Sequence, residues 1–131
     1  MLADGIRSAL CAVGRDVIDA DVAATPTAGV LVRDRQAVGA IQVSASHNPP
    51  PYNGIKLFDA QGQVLSAVDG EQVLQRFREL DPLWQPHDGI GHAETLEDST
   101  SAHLALVLEL VDVERIRNCR FPVVLDSNHG A

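Results

Sequence analysis

Residues 43–58 read Val-Ser-Ala-Ser-His-Asn-Pro-Pro-Pro-Tyr-Asn-Gly-Ile-Lys-Leu-Phe (VSASHNPPPYNGIKLF), and they decide the fold class. The preceding run, residues 39–44 (GAIQVS), has the β-branched, apolar character of a buried strand. Pro49, Pro50 and Pro51 then fix φ and remove three backbone donors, so neither helix nor sheet continues through them. Asn53-Gly54 is a tight-turn dipeptide. Residues 54–59 (GIKLFD) resume strand alternation, with Ile55, Leu57 and Asp59 on one face and Lys56 and Phe58 on the other. Strand, rigid loop, strand is the expected local order.

Helical periods lie on both sides of this unit. Leu2, Ile6, Leu10 and Val13 recur at helical spacing and Gly14 is placed as a stop, predicting a first helix over about 13 residues. Residues 16–20 (DVIDA) read as a short strand. Thr25-Pro26 reads as an N-cap followed by proline at the first helical position, opening a helix to about Asp34. Ser66 with Asp69 resembles a capping box, and Val73, Leu74, Phe77 and Leu80 mark the expected buried stripe of a third helix ended by Asp81-Pro82. Residues 82–98 have no period and read as a long connection. Residues 99–111 are apolar at helical spacing, 113–117 a short helical turn, and 121–125 (FPVVL) a buried strand. Alternating strands and helices predict a layered α/β architecture with a mainly parallel or mixed sheet.

Composition agrees with a globular chain: of 131 residues, 45% are hydrophobic and 21% charged. The net charge of −8 disfavours a nucleic-acid partner, which requires clustered Lys and Arg. Residues 81–131 hold nine acids against three arginines and so carry −6 of that charge. No apolar run reaches membrane-spanning length, and no basic-then-apolar leader opens the chain, so no membrane partner and a cytoplasmic location are expected. Cys11 and Cys119 have neither disulfide-framework nor metal-type spacing and read as small buried hydrophobes. His87, His92, His103 and His129 fit no standard ligand pattern.

The loop gathers Ser44, Ser46, His47, Asn48, Asn53 and Lys56 at the end of a strand, a common place for chemistry. Lys56 is the only lysine of the chain. On residue types alone the bland reading is the stronger, since serine and histidine beside prolines are more often turn chemistry than catalysis. A serine hydrolase is disfavoured: there is no Gly-x-Ser-x-Gly turn, and His47 is adjacent to Ser46 in sequence.

The spelling VSASHNPPPYNGIKLF closely resembles the phosphoserine signature of the α-D-phosphohexomutases, the family of phosphoglucomutase, phosphomannomutase and phosphoglucosamine mutase. Residues 24–27 (ATPT) and 123–131 (VVLDSNHGA) resemble family segments in the same order. The resemblance implies a three-layer α/β/α domain with a mixed sheet over residues 1–119, lacking its extreme N-terminus, and a truncated second domain begun at 120–131. It implies that Ser46 carries the phosphoryl group and gives magnesium a ligand through it. Lys56 is implied in proton transfer and substrate binding, His47 beside the serine in catalysis, and Asn48 in substrate binding. It further implies Mg2+, a hexose 1,6-bisphosphate activator and a hexose phosphate substrate (glucosamine, mannose or glucose). The net reaction would shift phosphate between the 1- and 6-positions.

Two departures stand out. Pro51 occupies a position where many members carry an acidic or other polar residue. The family's Asp-x-Asp-x-Asp-Arg metal loop, its Glu-Ser-Gly specificity loop and its C-terminal phosphate loop do not occur in these residues, so the chain alone is expected to be inactive. The alternative is a stand-alone module that binds a sugar phosphate without turnover. Self-association through residues 121–125, left without strand partners, is also expected.

Overall fold

The computed structural model describes residues 1–49 and 51–127 of the chain. Helix α1 (Leu2–Ala12) ends just before Gly14, which takes φ +79°, a left-handed conformation that suits glycine. Strand β1 (Val17–Asp19) follows, then α2 (Thr25–Asp34), β2 (Ala40–Val43) and β3 (Ile55–Phe58). Next come α3 (Ala67–Glu79), β4 (Ala93–Thr95), α4 (Ser101–Glu109) and α5 (Val113–Cys119). The architecture is α/β, as expected, and both pairing senses occur: β1 runs parallel to β4, and β2 antiparallel to β3.

The core is built on α2, which packs against α4 and β2. Val30, Leu31 and Val32 are buried there with Thr27, and Phe58 closes the core from β3. In the β2–β3 hairpin Ala40 faces Phe58 and Gln42 faces Lys56, so these four side chains share the face turned to α2. The approach is close: a Cβ on Gly29 of α2 would lie 2.5 Å from the Gly62 carbonyl oxygen, and Gly62 itself has φ +74°. Val32, 2% exposed, is the most deeply buried of the core hydrophobes. Val32→Ala should therefore destabilise the chain by roughly 1–3 kcal/mol, read as a lower urea midpoint. An unchanged midpoint would mean that α2 is not the core.

Five expectations are corrected. Thr25 is not the N-cap of α2: Ala24 is, with extended φ −68° and ψ 153°, and Thr25 is already helical, which frees its side chain for another partner. The stripe on α3 is not buried, with Phe77 70% and Leu80 77% exposed. Ser66 does cap α3, its hydroxyl oxygen accepting from Asp69 N, but nothing covers the apolar face among the described residues. The connection over residues 82–98 contains a strand. It is tied to the first third of the chain by Gln85 N to Ala12 O and Gly91 N to Cys11 O, both 2.9 Å, and by His92 N to Asp16 Oδ1 at 2.8 Å. Those bonds lay β4 beside β1. Residues 121–125 form no strand and are exposed, because no described segment offers them a ladder. Cys11 is half-buried and Cys119 exposed, so the second is not a core hydrophobe.

Candidate functional site

The loop between β2 and β3 is closed at its base by Ser44 N donating to Gly54 O at 2.9 Å. A Cβ on Gly54 would lie 2.7 Å from the Ser44 carbonyl oxygen, so glycine lets the two strands meet there. Inside the loop, Asn48 donates twice to the Ala45 carbonyl, from its backbone N at 3.1 Å and its Nδ2 at 2.9 Å. Tyr52 N donates to Pro49 O at 3.0 Å. The proline reading is described at Pro49 and Pro51; Pro50 lies outside the described residues, as does His129.

This frame holds Ser46 in the left-handed region, φ +56°, which is uncommon for a residue with a Cβ. The Ser46 N–H donates to Ser44 Oγ at 3.1 Å, a local bond that helps hold the strained turn. The result is a serine hydroxyl at the end of a strand, projected on a turn rather than folded into one. His47 is exposed, with Nδ1 3.4 Å from Ser46 Oγ, the outer edge of hydrogen-bond range. That contact orients the neighbour weakly and makes a poor proton relay. Asn48 donates its side-chain Nδ2 to the Ala45 carbonyl, which fixes this side chain on the turn beside Ser46.

Lys56 follows a different path. It lies on the α2 face of the hairpin, as its alternation predicts, and its Nζ donates to Thr25 Oγ1 at 3.0 Å. Its cross-strand partner Gln42 donates from Nε2 to Ala23 O at 2.9 Å, while Gln42 Oε1 is buried with no partner among the described residues. Two adjacent side chains of the hairpin thus grip the entry of α2. The structure brings Ser46, His47 and Asn48 together on one turn and sets Lys56 at the first turn of α2. Thr25 and Gln42 escape the sequence reading. The only signal for Thr25 is the run Ala-Thr-Pro-Thr, whose pattern also fits a helix cap.

The electrostatics favour an anion. Residues 44–56 contain no Asp or Glu, in a chain with eighteen, and hold its single lysine. A surface depression lies elsewhere, an open groove along α3 from Ala67 to Glu79, with no serine, cysteine or lysine in its lining. Chemistry, not concavity, selects the Ser46 loop. Among the described residues no three His, Cys, Asp or Glu side chains cluster as a metal site. His103 instead pairs with buried Thr27, Nδ1 to Oγ1 at 2.9 Å, joining α4 to α2. No helix of the described residues is long and apolar enough to cross a membrane.

Comparison with known proteins points one way. A family model described as phosphoglucomutase/phosphomannomutase, alpha/beta/alpha domain I, matches residues 1–83. A phosphoglucomutase/phosphomannomutase of Thermococcus kodakarensis is 36% identical over the whole chain, which spans 28% of that relative's length. A phosphoglucosamine mutase of an Arthrobacter species is 35% identical over 96% of the chain and 27% of its own length. A solved structure from Thermus thermophilus, provisionally named a phosphomannomutase, superposes with TM-score 0.63 at 29% identity, over 87% of this chain and 26% of that one. The chain thus spans little more than a quarter of the length of these three proteins.

Proposed function

Because the chain belongs to the phosphoglucomutase/phosphomannomutase family through its domain I, we propose that it is the phosphoserine-bearing part of a phosphohexomutase. Ser46 is the phosphoryl carrier in this reading. The observation that carries it is the left-handed serine on an acid-free turn, with the sole lysine fixed on the adjoining strand. In the first transfer the Oγ–P bond of phosphorylated Ser46 breaks as a sugar hydroxyl forms a new O–P bond and loses its proton. In the second, the bisphosphate gives its other phosphoryl group back to Ser46 Oγ. A hexose 1,6-bisphosphate would act as activator by reloading the serine.

This chain's part is positioning and charge, which is most of what phosphoryl transfer requires. The loop fixes Ser46; Lys56 supplies positive charge and a proton path; His47 and Asn48 orient the phosphate and substrate from the same turn. Magnesium does not fit these residues as a complete site. The ion takes near-octahedral oxygen ligands, whereas residues 44–56 hold no carboxylate and would give it one phosphoryl oxygen on Ser46. By the same reasoning residues 1–131 alone do not turn over. The recurrence of phosphoglucosamine mutase among the relatives' names supports glucosamine phosphate as substrate, with mannose or glucose phosphate as the alternatives.

The test is to treat the full-length protein with glucose 1,6-bisphosphate and map phosphate by peptide mass spectrometry. Phosphate on the Ser46 peptide is expected; phosphate confined to another residue would sink the reading. Separately, Val124 is 99% and Leu125 86% exposed, and such contiguous apolar chain promotes association. We propose that residues 121–125 make the isolated chain self-associate. Light scattering should give a mass above the 14.0 kDa of one chain, and a monomer at high concentration would overturn it.

A further inference from the structure

The contact that fixes Lys56 is made by a residue outside the Ser46 loop. Thr25 is the first residue of α2 and is half-buried, and its side chain caps no backbone group of its own helix. Pro26 beside it has no N–H to offer. The hydroxyl oxygen is therefore available, and it accepts from Lys56 Nζ at 3.0 Å. Next to this pair, Gln42 holds the Ala23 carbonyl at 2.9 Å, two residues before Thr25. Gln42 and Lys56 are directly opposed in the hairpin, so both restraints act on one short stretch of backbone. A lysine has four side-chain torsions and loses rotamer freedom when it is held. An acceptor on a helix that is itself pinned to the hairpin removes that freedom before any ligand arrives.

We infer that Thr25 is the positioning residue for Lys56, holding its ammonium group at the start of α2, and that Gln42 fixes the height of Thr25 through the Ala23 carbonyl. The inference rests on the proposed role of Lys56, and it deepens that reading by naming what aims the lysine. Thr25 touches neither substrate nor the transferred group; it acts through Lys56. Thr25→Ser keeps the acceptor oxygen and should preserve the arrangement. Thr25→Val keeps the shape and removes the oxygen.

The experiment uses the 131-residue chain, in which Lys56 is the only lysine, so acylation by an amine-reactive ester reports on one ε-amine. Peptide mapping separates it from the α-amine of Met1. Thr25→Val should acylate Lys56 about threefold faster or more, the scale of one hydrogen bond, with Thr25→Ser within about twofold of the parent. Equal rates in all three chains would overturn the inference. Should the valine variant not fold, the parent still decides: an NMR contact between the Lys56 ε-protons and the Thr25 methyl is expected, and its absence overturns the positioning role. Neither readout needs turnover. Failure of the phosphoryl-carrier reading would show as missing phosphate on Ser46, with the Lys56 reactivity pattern unchanged.

Discussion

Ser46→Ala should lower turnover of hexose phosphate by the full-length protein by roughly 10³-fold or more, leaving the stability of the protein within about 0.5 kcal/mol of the parent. The reasoning separates the two quantities. In the proposed mechanism, removing Oγ removes the atom on which the phosphoryl group is parked between the two transfers, and no neighbouring hydroxyl occupies the same turn position: Ser44 Oγ is engaged by the Ser46 N–H at 3.1 Å. Water cannot substitute, because a phosphoryl group passed to water is hydrolysed rather than returned to the sugar. Stability is untouched because the hydroxyl makes only the 3.4 Å approach to His47, a solvent-exposed contact. Alanine keeps the left-handed strain at φ +56° and adds none. Turnover retained in Ser46→Ala, with phosphate mapped to no other serine, would remove the mutase mechanism for this chain. A loss of turnover with a matching loss of stability would remove the claim that the serine acts chemically.

How much of this is legible before the structure depends on how local each cause is. Helices α1, α2 and α4 and strands β2 and β3 follow from short-range periodicity and from proline and glycine placement, and they lie within a few residues of their expected bounds. The Ser46 loop is likewise local. Strand β4 is not legible: Ala93–Thr95 is three residues long, exposed and without alternation, and it exists because β1 lies beside it. The buried stripe expected on α3 fails for the opposite reason. Amphipathic spacing says only that a face wants cover, and Phe77 at 70% exposure shows that no described segment supplies it. Residues 121–125 repeat the lesson, since a strand needs a ladder partner that sequence pattern cannot guarantee. At the site, Ser46 is found by the spelling of its own loop, whereas Thr25 stands 31 residues from Lys56 and becomes visible only once α2 and β3 have packed.

Lys56→Met should reduce kcat by roughly 10²–10⁴-fold while changing stability by no more than about 1 kcal/mol. Methionine reproduces the length and apolar stem of lysine, so it fills the same space on the α2 face of β3 and leaves Phe58 and Val32 packed. What it removes is the ammonium group and its bond to Thr25. The cost to folding is one partly buried hydrogen bond whose acceptor, a hydroxyl, can turn to water. The cost to the proposed chemistry is larger, because charge would build on phosphoryl oxygens beside an acid-free loop that holds no second Lys or Arg among residues 44–56. Lys56→Arg should rescue poorly, since a planar guanidinium keeps the charge but cannot deliver a proton near neutral pH and is too broad for a bond shaped to one Nζ donor. If arginine restores most of kcat, Lys56 acts as a fixed charge alone and the proton moves through another group; if methionine leaves kcat within about threefold of the parent, the lysine is a strut between β3 and α2 and the catalytic reading of it falls.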